Sequence, residues 1–195
     1  MNKTLSALAC AATLCLGGAA HAALVTFDVP QLIDIDPNTG AAVYNESGFI
    51  ISGDAASFLQ LDGVGSAGSG GLFVIANSII KLMTASGGAF SLNALDFGLF
   101  DLLGGAALPS LQIEGLLTDN STLNQTLALG GLANFGFSNW TDLKEVSFSA
   151  NADFVLDNIN AVPEPGTFAL AAIAVLGLGL GRRRTSRAVP AGIPR

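Results

Sequence analysis

Between Ala23 and Ala161 no stretch sustains the 3.6-residue apolar spacing of a helix. The stretch carries short apolar runs instead, roughly ten residues apart, separated by Gly, Asn, Asp and Ser. Within several runs the apolar residues alternate, as in Phe90/Leu92/Ala94, Leu111/Ile113, Leu127/Leu129 and Val146/Phe148. Residues two apart share a face of an extended chain, so this spacing turns one face inward and leaves the other to water. The expected strands are Leu24–Val29, Phe49–Ser52, Phe58–Leu61, Leu72–Ala76, Ile79–Met83, Phe90–Phe97, Leu111–Leu116, Thr122–Leu129, Leu143–Ser149 and Phe154–Ile159. Many short strands with turn residues between them predict a mainly β fold, an antiparallel β-sandwich or jelly roll.

Charge narrows the chemistry. The whole chain is −7, but only Lys81 and Lys144 of the eight basic residues fall between 23 and 161, against 14 of the 15 acids, a local balance of −12. Such a field repels phosphate backbones, which argues against nucleic acid, and attracts cations or basic partners. Both cysteines, Cys10 and Cys15, and the one histidine, His21, precede Ala23. The remainder therefore has no disulfide, no Cys/His zinc site, no Cys–His nucleophile and no histidine base for a serine triad. These exclusions point to a non-enzymatic domain, large enough at about 140 residues to hold together by apolar burial.

The two ends read differently. Lys3, the apolar run Leu5–Leu16 and the small residues of Ala20-His21-Ala22 form a signal peptide over residues 1–22, cut by signal peptidase between Ala22 and Ala23. Near the other end Val162-Pro163-Glu164-Pro165-Gly166 leads into Thr167–Gly181, which has no charge, and then Arg182-Arg183-Arg184. The prolines are expected to end any preceding strand and to form a stiff spacer. A transmembrane helix over 167–181 would rise about 23 Å, short of a ~30 Å hydrocarbon core. Snorkelling arginines and local thinning of the bilayer would absorb the difference. Arginines beyond it imply a cytoplasmic C-terminus, with 185–195 as a basic cytoplasmic tail. The expected order is signal peptide 1–22, ectodomain 23–161, sorting segment 162–184 and tail 185–195.

A Pro-Glu-Pro step, a short apolar helix and an arginine cluster together resemble the PEP-CTERM sorting signal, over Val162 to Arg184. The same kind of tail resembles the ice-binding-protein C-terminal domain. The resemblance implies an exosortase that recognises the tail and cuts near Pro163-Glu164-Pro165. It also implies membrane anchorage before that cut, and then release or transfer to the surface of cells that make extracellular polysaccharide. The eleven residues Thr185–Arg195 depart from the pattern, since such tails usually stop soon after the arginines. Tyr44-Asn45-Glu46-Ser47-Gly48-Phe49-Ile50-Ile51 and the closing Phe154-Val155-Leu156-Asp157-Asn158-Ile159 resemble β-sandwich ectodomains found on such proteins.

Candidate sites are few. Asp34, Asp36 and Asn38 place oxygens at alternate positions, as calcium loops do, and Glu46 lies close to where such a loop would close. No helices flank them, and Asp36-Pro37-Asn38-Thr39-Gly40 also suits a plain turn between strands. Gly63-Val64-Gly65-Ser66-Ala67-Gly68 has the dinucleotide string without its βαβ setting, which makes a flexible loop the expectation. Asp96 and Asp101 flank a strand end, and no spacing among the acids singles out a hydrolytic pair. Trp140 and Tyr44, the one Trp and the one Tyr, are the candidates for stacking on sugar. Asn45, Asn120, Asn124 and Asn139 stand in Asn-x-Ser/Thr sequons. The expectation is an exported, non-enzymatic surface or matrix protein associated with exopolysaccharide, without a cofactor other than calcium. The alternative is a calcium- or carbohydrate-binding surface module.

Overall fold

A computed structural model of the chain describes residues 22–28, 33–100 and 109–164. The signal peptide up to His21, Asp101, Pro165, Gly166, the 167–181 segment and Arg182–Arg184 lie outside the described residues. Among the described residues no helix is long and apolar enough to cross a membrane.

The described residues form thirteen antiparallel strands in two layers. The first sheet contains β2 (Asp34–Ile35), β3 (Ala41–Glu46), β4 (Phe49–Asp54), β7 (Ile79–Thr84), β12 (Leu143–Ala150), β9 (Ser110–Leu117) and β10 (Thr122–Ala128), adjacent in that order. The second runs β11 (Ala133–Gly136), β8 (Phe90–Leu99), β13 (Phe154–Pro163). Beyond β13, its first half pairs with β6 (Gly71–Val74), itself paired to β5 (Phe58–Leu61), and its second half with β1 (Ala23–Val25). One residue pair, Leu143 with Phe90, joins the two sheets.

The period-2 pattern does what it predicts. In the first sheet Tyr44, Ile51, Ile80, Leu82, Ile113, Val146 and Phe148 turn inward and are buried; Leu72, Leu92, Phe97, Phe154 and Leu156 answer from the second. Phe49 of β4 and Phe90 of β8 meet edge to face at 5.4 Å, linking one layer to the other. All ten expected strands have counterparts in a β-sandwich, with ends that differ by a few residues; Val29, the expected end of the first, lies outside the described residues.

β2, β3 and β11 go beyond the expected set. β3 has Val43 and Tyr44 between flanking alanines and Asn-Glu, β11 is Ala-Asn-Phe-Gly, and pairing with β4 and β8 stabilises them. A second departure concerns Pro163, expected to lie in a spacer. β13 runs through it, because a proline at a strand end loses no obligatory ladder bond.

Candidate functional site

The outer face of the first sheet carries a polar trough whose shape follows from register. Across the strands, Ile79, Ser149, Gln112 and Thr126 fall in one row, and Ser52, Lys81, Ser147, Glu114 and Asn124 in the next. The central strand β12 contributes short serines, while β7 and β9 on either side contribute long side chains. The floor is therefore low and the walls are high. The result is two adjoining hollows of about 400 Å³ and 370 Å³ that share Ile79, Gln112 and Ser149. Lys81 Nζ closes one side with an ion pair to Glu145 Oε1 at 3.0 Å, and Thr126 Oγ1 donates to Gln112 Oε1 at 2.7 Å. Hydroxyls, amides, carboxylates and one ammonium thus line a surface that also presents Ile79, 56% exposed. Such a lining can exchange hydrogen bonds with a polyhydroxyl ligand while Ile79 offers it an apolar contact.

A second polar cluster is structural. β13 carries a bulge between Asp157 and Asn160, where Asn158 adopts φ 46°, and a compensating irregularity follows between Asn160 and Ala161. Asp157 is fully buried and faces Asp96, its cross-strand partner. Asp157 Oδ2 accepts bonds from the Ser66 N–H at 2.7 Å and Ser69 Oγ at 2.9 Å. Asn158 Nδ2 donates to Asp96 Oδ2 at 2.8 Å, and Asn134 Nδ2 to Asp96 Oδ1 at 2.6 Å. Burial pushes the Asp157 carboxyl above its ordinary value, and the Asp96 charge adds to this against the hydrogen bonds it accepts. Burial also acts on Asp96, but the donors Asn158, Asn134 and Ser66 outweigh it and hold that carboxyl below the usual value. The Gly63–Gly68 segment is consequently pinned over β13 rather than flexible. A Cβ on Gly65 would lie 2.6 Å from Asp157 Oδ2, and one on Gly70 only 2.0 Å from the Phe27 carbonyl oxygen. These glycines serve close backbone approach, and the loop holds a single 3-10 turn, Ser66–Gly68, instead of opening an α-helix.

The four suggested calcium ligands are not brought together. Asp34 lies on β2 and is exposed, and Asn38 is exposed in the turn that leads to β3. Asp36 Oδ1 accepts the Asn38 N–H at 2.8 Å, and that bond, with the Thr39 hydroxyl, lowers its pKa. Glu46 stands at the far end of β3, about 17 Å along the strand from Ala41. There Oε1 accepts from the Thr26 N–H and hydroxyl at 3.1 and 3.2 Å, while Oε2 accepts from the Phe27 N–H at 3.1 Å and Tyr44 Oη at 2.8 Å. Among the described residues no three His, Cys, Asp or Glu gather as metal ligands would. Trp140 and Tyr44 are both buried, so neither offers a stacking face. Of the sequon asparagines, Asn124 lines the trough.

The processing residues are placed at one end of β13. Ala22 is exposed, and Ala23, the first residue of β1, pairs with Ala161. Val162 is opposite Ser91 and Pro163 opposite Phe90, and the Glu164 N–H donates to the Ala89 carbonyl at 2.8 Å. Glu164 Oε1 accepts from Ser91 Oγ and from the Asp142 N–H, each at 2.8 Å, and its charge raises the pKa of the Asp142 carboxyl. Sequence reasoning missed the trough and this clamp, since both depend on pairings between residues far apart in the chain.

Among curated proteins none matches this sequence. Several solved carbohydrate-binding modules are similar in structure. A xylan-binding domain from CBM 22 is 11% identical, with a TM-score of 0.41, 74% of this chain covered and 96% of that one. The C-terminal family 22 module of Clostridium thermocellum Xyn10B is 12% identical, at 0.40, with 77% and 96% covered. TmCBM61, solved with β-1,4-galactotriose, is 11% identical, at 0.38, with 60% and 90% covered. At these identities no ligand carries over from them to this chain. The C-terminal end is more specific: residues 161–184 match the PEP-CTERM protein-sorting motif, so the chain carries a PEP-CTERM sorting signal that begins on the last residues of β13.

Proposed function

We propose that this protein is an exported, non-enzymatic surface module that holds a neutral polysaccharide in the trough on its outer sheet, delivered there by its PEP-CTERM tail. The signal peptide would start export, the apolar segment would hold the chain in the membrane, and an exosortase would cut the tail. The observation that carries the binding role is the crossing of two polar rows over the low serines of β12, between Lys81 and Ile79 on one side and Gln112 and Glu114 on the other. That arrangement matches the alternating donors and acceptors of sugar hydroxyls. With Glu114 and Glu145 against Lys81, the trough itself is net acidic, and the surrounding field would disfavour acidic glycans.

Affinity electrophoresis of the folded domain through gels containing neutral and uronate-rich polysaccharides tests this reading. Retardation is expected with at least one neutral polymer, and the double variant Gln112→Ala/Asn124→Ala should lose it while keeping the wild-type melting temperature. Migration unaffected by every polymer would remove the binding role. Release of new reducing ends from any polymer would replace it with a hydrolytic one.

A further inference from the structure

The last residues of β13 serve two purposes. Ala161 to Glu164 open the matched sorting motif; Ala161 to Pro163 are also the last residues of β13, and Glu164 follows them directly. Glu164 is held three times: its N–H by the Ala89 carbonyl, and its Oε1 by the Ser91 hydroxyl and the Asp142 N–H. Two of these partners lie 73 and 22 positions away in sequence, so only the folded domain assembles them. The opposite edge of β13 is paired as far as Ala161, where β1 begins. A linker would have none of these partners.

Enzymes that cut peptides take the substrate as an extended strand and pair with its backbone. Backbone already bound within a sheet must first be freed by local opening. We infer that Pro163 and Glu164 belong to the folded domain, and that the sorting enzyme therefore cuts on the C-terminal side of Glu164. The mature protein keeps Glu164 clamped between β8 and the segment before β12. This deepens the proposed processing of the tail and rests on it. The step breaks one peptide C–N bond. The carbonyl carbon on the N-terminal side passes to water, giving a carboxylate, or to an amine acceptor, giving a new amide, and the departing nitrogen takes the proton. In either case Glu164 stays with the sandwich.

Two measurements decide the matter. The first is hydrogen–deuterium exchange on the full chain in detergent. Prolines at 163 and 165 carry no N–H, so the Glu164 amide is read almost alone. It should exchange at least about a hundredfold more slowly than an unstructured amide, and Ser91→Ala, which leaves the motif intact, should speed it about fivefold. Exchange at the unstructured rate overturns the clamp. The second is the C-terminal peptide of the processed protein from its native host. A terminus at Glu164 or beyond is expected, and one at Val162 or Pro163 overturns the inference. A chain recovered with its tail uncut counts against the processing reading itself, and the exchange result then decides the clamp independently.

Discussion

Replacing Glu46 with Gln tests the reasoning most sharply, because one carboxylate holds the entering chain. Its two oxygens accept four bonds from Thr26, Phe27 and Tyr44. They also secure Phe27, fully buried at φ 56°, a left-handed backbone that costs a bulky residue about 1–2 kcal/mol. An amide keeps one oxygen. If that oxygen stays with Phe27 and Tyr44, the new NH₂ faces the Thr26 N–H, and donor meets donor. The Thr26 hydroxyl can rotate to accept, but the backbone N–H cannot. One part-buried donor left unpaired and two charge-assisted bonds weakened come to about 2 kcal/mol. For a domain of this size that lowers the melting temperature by roughly 6–10 °C in a calorimetric or circular-dichroism melt. Glu46→Ala should cost more, about 3 kcal/mol, since the buried Tyr44 hydroxyl also loses its acceptor. A chelator should leave the wild-type midpoint unchanged. A Gln variant within about 0.5 kcal/mol of wild type would refute the latch, and a midpoint that falls on chelation would return Glu46 to metal binding.

Tyr44 reports on the same place. Burial, with the Glu46 hydrogen bond and charge, raises its pKa well above the usual 10, so its stabilising effect is complete below pH 10 and is lost as pH rises beyond it. As the one tyrosine, it should show no tyrosinate absorbance until the fold melts in alkali; a smooth titration near pH 10 in folded protein would contradict this. Gly70→Ala places a Cβ 2.0 Å from the Phe27 carbonyl and should cost about 3 kcal/mol, whereas Gly88→Ala, whose Cβ meets only the Ser86 hydroxyl at 3.4 Å, should cost little; equal melting temperatures would refute the packing. Asp96→Asn removes a carboxylate whose folded pKa lies below 3.8. The lost stability should be largest near neutral pH and shrink as pH falls through that folded value, which denaturant titrations at several pH values would reveal.

What could be read from residue order was local. Alternation in Phe90/Leu92 or Val146/Phe148 exposes a strand because the pattern and the packing are both short-range. The trough is not local: Ser147 lies between Lys81 and Glu114, and the register that aligns them leaves no mark in any window. Glu46 looked like a ligand by spacing along a loop, yet β3 is extended and carries it to the far end of the strand. The glycine string at 63–68 looked loose by composition, and Asp157, about ninety residues on, pins it. Pro163 looked like a strand breaker, but a strand end tolerates a residue with no donor.

The pairing of Ala23 with Ala161 has a further consequence for engineering. Start and finish of the sandwich lie side by side, so the polypeptide traces an almost closed ring. A short flexible bridge could join them, and new termini could be opened at an exposed turn such as Asp119-Asn120 without unthreading a single strand. A circular permutant built this way would attach the rest of its sorting signal to the turn between β9 and β10 instead of to the end of β13.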